Sequence, residues 1–231
     1  MRWTWPFLLY AAVTVVHLAN LAIPALGGDA LTKALLMPAL LVAVVLVVVL
    51  TRRPRGSRAW WGTGLLAAGI AASFFGDVLL GPAFVVGLAC FAAAHVLYII
   101  AFACPAGARP IAWWSLAYVA VLVALVILLW PHLGELRPVL VGYGIVLALT
   151  AMTSTRVSAI AAWGGGLFLA SDALLAFRLF YPDFLVAFPD PWQDLAIMAF
   201  YCAGQGLIAL GVLRRLSAER PTLADAASPM R

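Results

Sequence analysis

Residues 30–50 read ALTKALLMPALLVAVVLVVVL, and from Ala34 to Thr51 eighteen consecutive positions pass without a charge. A helix crossing the hydrocarbon core of a bilayer needs about 20 such residues, so lipid is the solvent this segment suits. The rest of the chain agrees. Of 231 residues, 66% are hydrophobic and 10% charged, whereas about a quarter of a soluble domain is charged. A soluble globular fold is excluded. Breaks at Gly, Pro and charged residues divide the chain into eight expected spans, 5–26, 30–50, 59–80, 83–104, 110–130, 136–154, 157–181 and 192–213. The fold class is therefore all-α, a polytopic membrane protein of eight transmembrane helices. Residues 1–216 form the transmembrane domain, and 217–231, with Pro221, Asp225 and Ser228 and no apolar period, are expected to be a mobile cytoplasmic tail. The first span has features of a signal peptide, with Arg2 before it and Ala25-Leu26-Gly27 at its end. Its apolar run is long for one, so retention as a helix is expected.

The net charge of +5 comes from 14 Lys and Arg residues that lie mainly between apolar runs, where they set topology. No nucleic-acid partner is expected. With the N-terminus inside, Arg2, Arg52, Arg53, Arg55, Arg58, Arg109, Arg156, Arg214, Arg215, Arg220 and Arg231 fall on the cytoplasmic side, and Lys33, Arg137 and Arg178 do not. This bias places both termini in the cytoplasm. Trp60, Trp61, Trp113, Trp114, Trp130 and Trp192 fall near span ends, where indole prefers to sit. Cys90, Cys104 and Cys202 lie in or beside apolar runs without CxxC or Cys/His spacing, so no metal site and no disulfide framework is expected.

An ionised side chain in the middle of a span costs at least about 3 kcal/mol, so each one needs a partner, a cavity or a task. Asp77, in Ser73-Phe74-Phe75-Gly76-Asp77, and Asp172, in Ala170-Ser171-Asp172, are the two that require it. The spans holding them run in the same direction, which sets both carboxyls in the outer half, and Lys33 shares that layer. The fourth span carries Phe84, Gly87, Phe91, His95 and Tyr98 at steps of three and four, one helical stripe. On the eighth, Asp194, Tyr201 and Gln205 share a face. Such stripes also arise from plain helix packing, and an Asp pair also arises as a structural ion cluster. His17 and Asn20 are expected to bond a neighbouring helix, and Gly164-Gly165-Gly166 to permit close packing. Asp190 and Asp194 belong to an acidic outer stretch that is either solvated loop or the rim of an entrance.

Gly76-Asp77-Val78-Leu79-Leu80 matches Ser171-Asp172-Ala173-Leu174-Leu175, and Phe91-Ala92-Ala93-Ala94-His95 matches Tyr201-Cys202-Ala203-Gly204-Gln205. Two parallel four-helix repeats would explain this, with a site near their interface. Chance matching in so biased a composition is the alternative.

Lys33 with Pro38, the Gly76-Asp77 pair, the fourth-span stripe, Ser171-Asp172, and Tyr201 with Gln205 together resemble the YhhN-like lysoplasmalogenase family over residues 31–211. The resemblance implies an eight-helix membrane enzyme. It would hydrolyse the vinyl ether bond of lysoplasmalogens to a fatty aldehyde and a glycerophospho-alcohol, with acidic residues catalytic and no metal or organic cofactor. On this expectation Asp77 and Asp172 are the catalytic pair. Lys33 would hold one of them ionised or contact the lipid phosphate, and His95, Tyr98, Ser171, Tyr201 and Gln205 would complete the binding site. The partners are a lysophospholipid substrate and membrane lipid. The chemistry suits two carboxyls, because vinyl ether cleavage needs an acid to protonate carbon and a base to activate water. A small proton-coupled transporter and a lipid-binding membrane protein are the competing readings, since both also place acids in the membrane. Serine and zinc hydrolases lack their motifs here, as neither GxSxG nor HExxH occurs.

Overall fold

Inside a bilayer each backbone N–H and C=O must find its partner within the segment, which leaves the helix as the form for apolar runs of this length. The computed structural model describes residues 4–51, 56–105, 109–188, 190 and 192–218. It contains α1 (Leu8–Ala22), α2 (Asp29–Thr51), α3 (Ser57–Leu79), α4 (Phe84–Ala103), α5 (Leu116–Leu129), α6 (Arg137–Ser154), α7 (Ala159–Phe180) and α8 (Trp192–Ala218), with short 3-10 turns between them. No strand occurs among the described residues. Counting adjoining 3-10 turns, eight helices among the described residues are long and apolar enough to cross a membrane. Their outward surface is apolar, with Val49 64% and Ile127 67% exposed. In water such a surface would aggregate, and in lipid it is the solvated face. The protein is an integral multi-pass membrane protein.

Where the expected spans and the helices differ, a specific residue accounts for it. The first span was expected to reach 26, but α1 stops at Ala22, because Pro24 lacks the N–H that would continue the ladder. Gly27 and Gly28, with φ of +66° and +81°, then turn the chain into α2. At the other end α8 runs to Ala218, past Arg214, Arg215 and the expected tail boundary at 217. Leu213 and Leu216 are buried, and Leu216 lies where a side chain on Gly62 would meet it, 3.0 Å from that Cβ position. The buried face, not the hydropathy of the segment, sets the length of this helix. The expected tail from 219 onward, with Arg220 and Arg231, lies outside the described residues, as do Arg2, Trp3, Arg52, Arg53 and Arg55.

Seven helices pack in the cyclic order α1, α2, α3, α4, α6, α7, α8, with α8 also against α2 and α3, and α5 lies outside on α6 and α7. The tightest pairs are α3–α4 and α7–α8. Small residues make them so: a Cβ on Gly76 would stand 2.7 Å from the Phe91 ring, and one on Gly164 would stand 2.7 Å from the Ile208 nitrogen. Gly69 likewise faces the Tyr98 ring. The match that aligns Asp77 with Asp172 aligns Gly69 with Gly164, and the match that aligns Phe91 with Tyr201 aligns Tyr98 with Ile208. The two tight pairs thus touch at corresponding positions, while α1 and α5 are placed differently. His17 and Asn20 of α1 both reach the Thr32 hydroxyl of α2, at 3.0 and 3.3 Å.

Alternation of direction brings the α4–α5 and α6–α7 connections to one end, where the Arg109 N–H donates to the Arg156 carbonyl at 3.2 Å and Arg156 Nε donates back to the Arg109 carbonyl at 3.1 Å. Arg58, Arg214 and Arg215 belong to this same end. Lys33, Arg137 and Arg178 stand toward the other, together with Asp77, Asp172 and Asp194.

Candidate active site

At the end away from the arginines a cavity opens between α3, α4, α5, α6, α7 and α8, with ≈ 1210 Å³ of empty space that includes the open solvent at its mouth. Most of its wall is aliphatic. Leu122, Leu125 and Leu129 of α5 face Leu140 of α6 and Leu175 and Leu179 of α7, forming an apolar slot. The polar groups of the wall are Lys33 from α2, Asp77 from α3, Tyr143 from α6, Ser171 and Asp172 from α7, and Asp194 and Tyr201 from α8.

Each aspartate takes a tyrosine hydroxyl. Tyr201 donates to Oδ2 of Asp77 at 2.7 Å, and Tyr143 donates to Oδ2 of Asp172. Asp77, Asp172 and Lys33 line the same cavity. Both carboxyls are half-buried. Beside Asp77, Gly76 lets the Phe91 ring of α4 lie directly on the α3 backbone. The Phe91 ring in turn meets Tyr201 edge-on, with centroids 6.2 Å apart, which sets the phenol toward Asp77.

The other residues expected at a site are divided by the structure. Ser171 lines the cavity, but its hydroxyl donates to the Ile197 carbonyl at 2.9 Å and so ties α7 to α8. Tyr98 and Gln205 are fully buried and absent from the cavity wall. The Tyr98 hydroxyl donates to Gln205 Oε1 at 2.8 Å, and Gln205 Nε2 donates to Ser73 Oγ at 3.0 Å, a network linking α3, α4 and α8. His95 is likewise buried and off the wall, standing behind Tyr143 with Nε2 3.4 Å from its hydroxyl. Arg178 pairs with Asp194 and, at 3.1 Å, with Asp190. Asp194 therefore joins the rim of the cavity, one of the two alternatives its acidic stretch left open. Among the described residues no group of three or more His, Cys, Asp or Glu side chains could hold a metal ion.

The profile of the YhhN family matches residues 28–212, a stretch that contains all of these side chains. The chain belongs to the YhhN family. Lysoplasmalogenase TMEM86B of Homo sapiens is 35% identical over 162 residues, 66% of this chain and 65% of that protein. The protein of the same name from Mus musculus is 31% identical over 223 residues, 92% of this chain and 87% of its own length, and that from Sus scrofa is 34% identical over 152 residues, 64% and 62%. The match thus spans somewhat less than two thirds of the human and porcine relatives. No solved structure matches.

Within this YhhN chain, the residue that sequence reasoning missed is Tyr143. Its signal was a lone tyrosine between Gly142 and Gly144 in the apolar sixth span. A hydroxyl in hydrocarbon wants a partner, and the partner here is the nearest carboxyl.

Proposed function

We propose that this chain is a lysoplasmalogenase, hydrolysing the vinyl ether bond of a lysoplasmalogen to a fatty aldehyde and a glycerophospho-alcohol, with Asp77 and Asp172 as its acid and base. The observation that carries this reading is the presence of two carboxyls on the wall of one apolar cavity, each held by a tyrosine. The names of the relatives support it.

In this reading Asp77 is the base and Asp172 the acid, on a wall that also carries Lys33. Asp172 gives its proton to the β-carbon of the vinyl ether, and the C–C double-bond electrons form that C–H bond. The oxocarbenium ion left behind is stabilised by the Asp77 carboxylate. Water then adds to the α-carbon and surrenders a proton to Asp77. In the resulting hemiacetal the hydroxyl proton returns to Asp172 as the C–O bond to glycerol breaks, and Asp77 protonates the leaving oxygen. Both carboxyls end as they began, one water having been consumed.

The alkenyl tail occupies the slot of α5, α6 and α7, and the head group lies at the mouth beside Lys33 and Asp194. A single-chain amphiphile suits such a shape, apolar along its length with a few polar groups at one end. The arginine-rich end, with both termini, faces the cytoplasm of a bacterial membrane, and the cavity opens to the opposite leaflet. Purified protein in detergent, given a lysoplasmenyl-ethanolamine, should release fatty aldehyde, and Asp77→Asn and Asp172→Asn should not. Absence of aldehyde from folded wild-type protein removes this reading.

A further inference from the structure

His95, Tyr143 and Asp172 come from α4, α6 and α7 and form one line of contacts ending at the cavity. His95 is completely buried, its ring edge-on to Phe168 with centroids 4.7 Å apart, and among the described residues its Nδ1 has no hydrogen-bond partner. Nε2 stands 3.4 Å from the Tyr143 oxygen, and Tyr143 donates its only proton to Oδ2 of Asp172.

Together with the bare Nδ1, these contacts favour one arrangement of the protons. With its hydrogen committed to Asp172, the Tyr143 oxygen can only accept at its other side, so the imidazole carries its hydrogen on Nε2. The opposite tautomer would bury an unpaired N–H at Nδ1 and set two lone pairs against each other at Nε2. A buried N–H without a partner is rarer and costlier than a bare acceptor. The line therefore runs from His95 N–H to Tyr143 O–H to Asp172 Oδ2. Because Oδ2 is occupied as an acceptor, a proton on Asp172 resides on Oδ1.

We propose that Tyr143, held by His95, is the positioning residue that makes Asp172 an acid directed into the cavity. This rests on the hydrolase reading above, in which Asp172 protonates the vinyl ether carbon. When the proton leaves Oδ1, negative charge spreads to Oδ2, and the Tyr143 bond becomes a charge-assisted one, shorter and stronger than before. The gain exists in the transition state and not in the ground state, which is the condition for it to raise kcat without altering KM. His95 adds to it by donating to the same tyrosine oxygen. Asp77 is likewise bonded by a tyrosine, Tyr201, but among the described residues no histidine stands behind that hydroxyl.

The experiment measures aldehyde release from a lysoplasmenyl-ethanolamine and the infrared carbonyl band of protonated Asp172, identified by its loss in Asp172→Asn. Tyr143→Phe should lower kcat on the order of 10- to 100-fold with KM unchanged, and move the band to higher wavenumber as its carbonyl loses a donor. His95→Leu should do the same to a smaller extent, and His95→Gln, which can still donate an N–H, should restore much of the loss. An unmoved band in Tyr143→Phe, or wild-type kcat in that variant, overturns the proposal. A wild-type protein that releases no aldehyde would sink the hydrolase reading instead, and the band shift would then decide the contact by itself.

Discussion

The Tyr201 hydroxyl lies 2.7 Å from Oδ2 of Asp77, joining α8 to α3 across 124 positions of sequence. Inside a membrane this bond stabilises the bundle only modestly, about 0.6 kcal/mol for a typical interhelical contact. Its larger consequence is orientation, since it fixes one carboxylate oxygen and leaves the other toward the cavity. Tyr201→Phe should therefore lower kcat about tenfold while shifting the thermal midpoint little. Steady-state kinetics and a melting curve on the same preparation check both halves.

Replacing either carboxyl should cost far more. Asp77→Asn and Asp172→Asn remove the proposed base and acid respectively, and each should reduce aldehyde release by roughly 10²- to 10⁴-fold, the usual worth of a general acid or base. Asparagine matches aspartate in size, so elution as a single symmetric peak in detergent should persist. Near wild-type turnover in one variant would take that residue out of the mechanism.

The Ser73–Tyr98–Gln205 network makes the opposite prediction. None of its members lines the cavity, and all are buried. Gln205→Leu leaves the Tyr98 hydroxyl with only the 3.4 Å contact to Ser73, at a cost of about 1–3 kcal/mol of stability. Turnover per folded molecule should be retained. The double variant Tyr98→Phe with Gln205→Leu should lose less than the sum of the two single variants, because both remove the same contact.

Glycines in the tight helix pairs should not tolerate a methyl group. Gly164→Ala places a carbon 2.7 Å from the Ile208 backbone nitrogen, which cannot move aside as a flexible side chain would. A loss of about 1–3 kcal/mol is expected. Gly142→Ala meets nothing within 4 Å and should be neutral or stabilise α6 by up to about 1 kcal/mol. Thermal midpoints of the two variants in one detergent separate these outcomes.

The apolar slot should measure chain length. Leu125 lines it from α5, the helix outside the main ring, so a larger side chain there can fill the slot without breaking the central packing. Leu125→Trp should shift the preferred alkenyl chain toward shorter substrates, as one methylene in a snug pocket is worth about 1–3 kcal/mol. The ratio of kcat/KM for long and short chains is the readout, and an unchanged ratio would place the tail elsewhere.

The number and class of the elements were legible in the sequence because the signal for a span is local. About twenty apolar residues in a row determine their own solvent and their own hydrogen bonding, whatever the rest of the chain does. Asp77 and Asp172 were legible for the same reason, since a carboxyl in such a run stands out wherever it points. Pro24 and Leu216 moved two boundaries, the first by local backbone chemistry and the second by packing on Gly62.

What the tertiary structure alone decided is the partner of each polar group. His95, Tyr98 and Gln205 lie on stripes that include cavity residues, yet they turn toward other helices and away from the cavity. Tyr143, with no motif around it, closes on Asp172. Periodicity gives the relative angle of residues on one helix, but the rotation and depth of each helix against its neighbours come from contacts such as Gly76 on Phe91 and Gly164 on Ile208. Those contacts join residues far apart in the chain, so no local reading contains them.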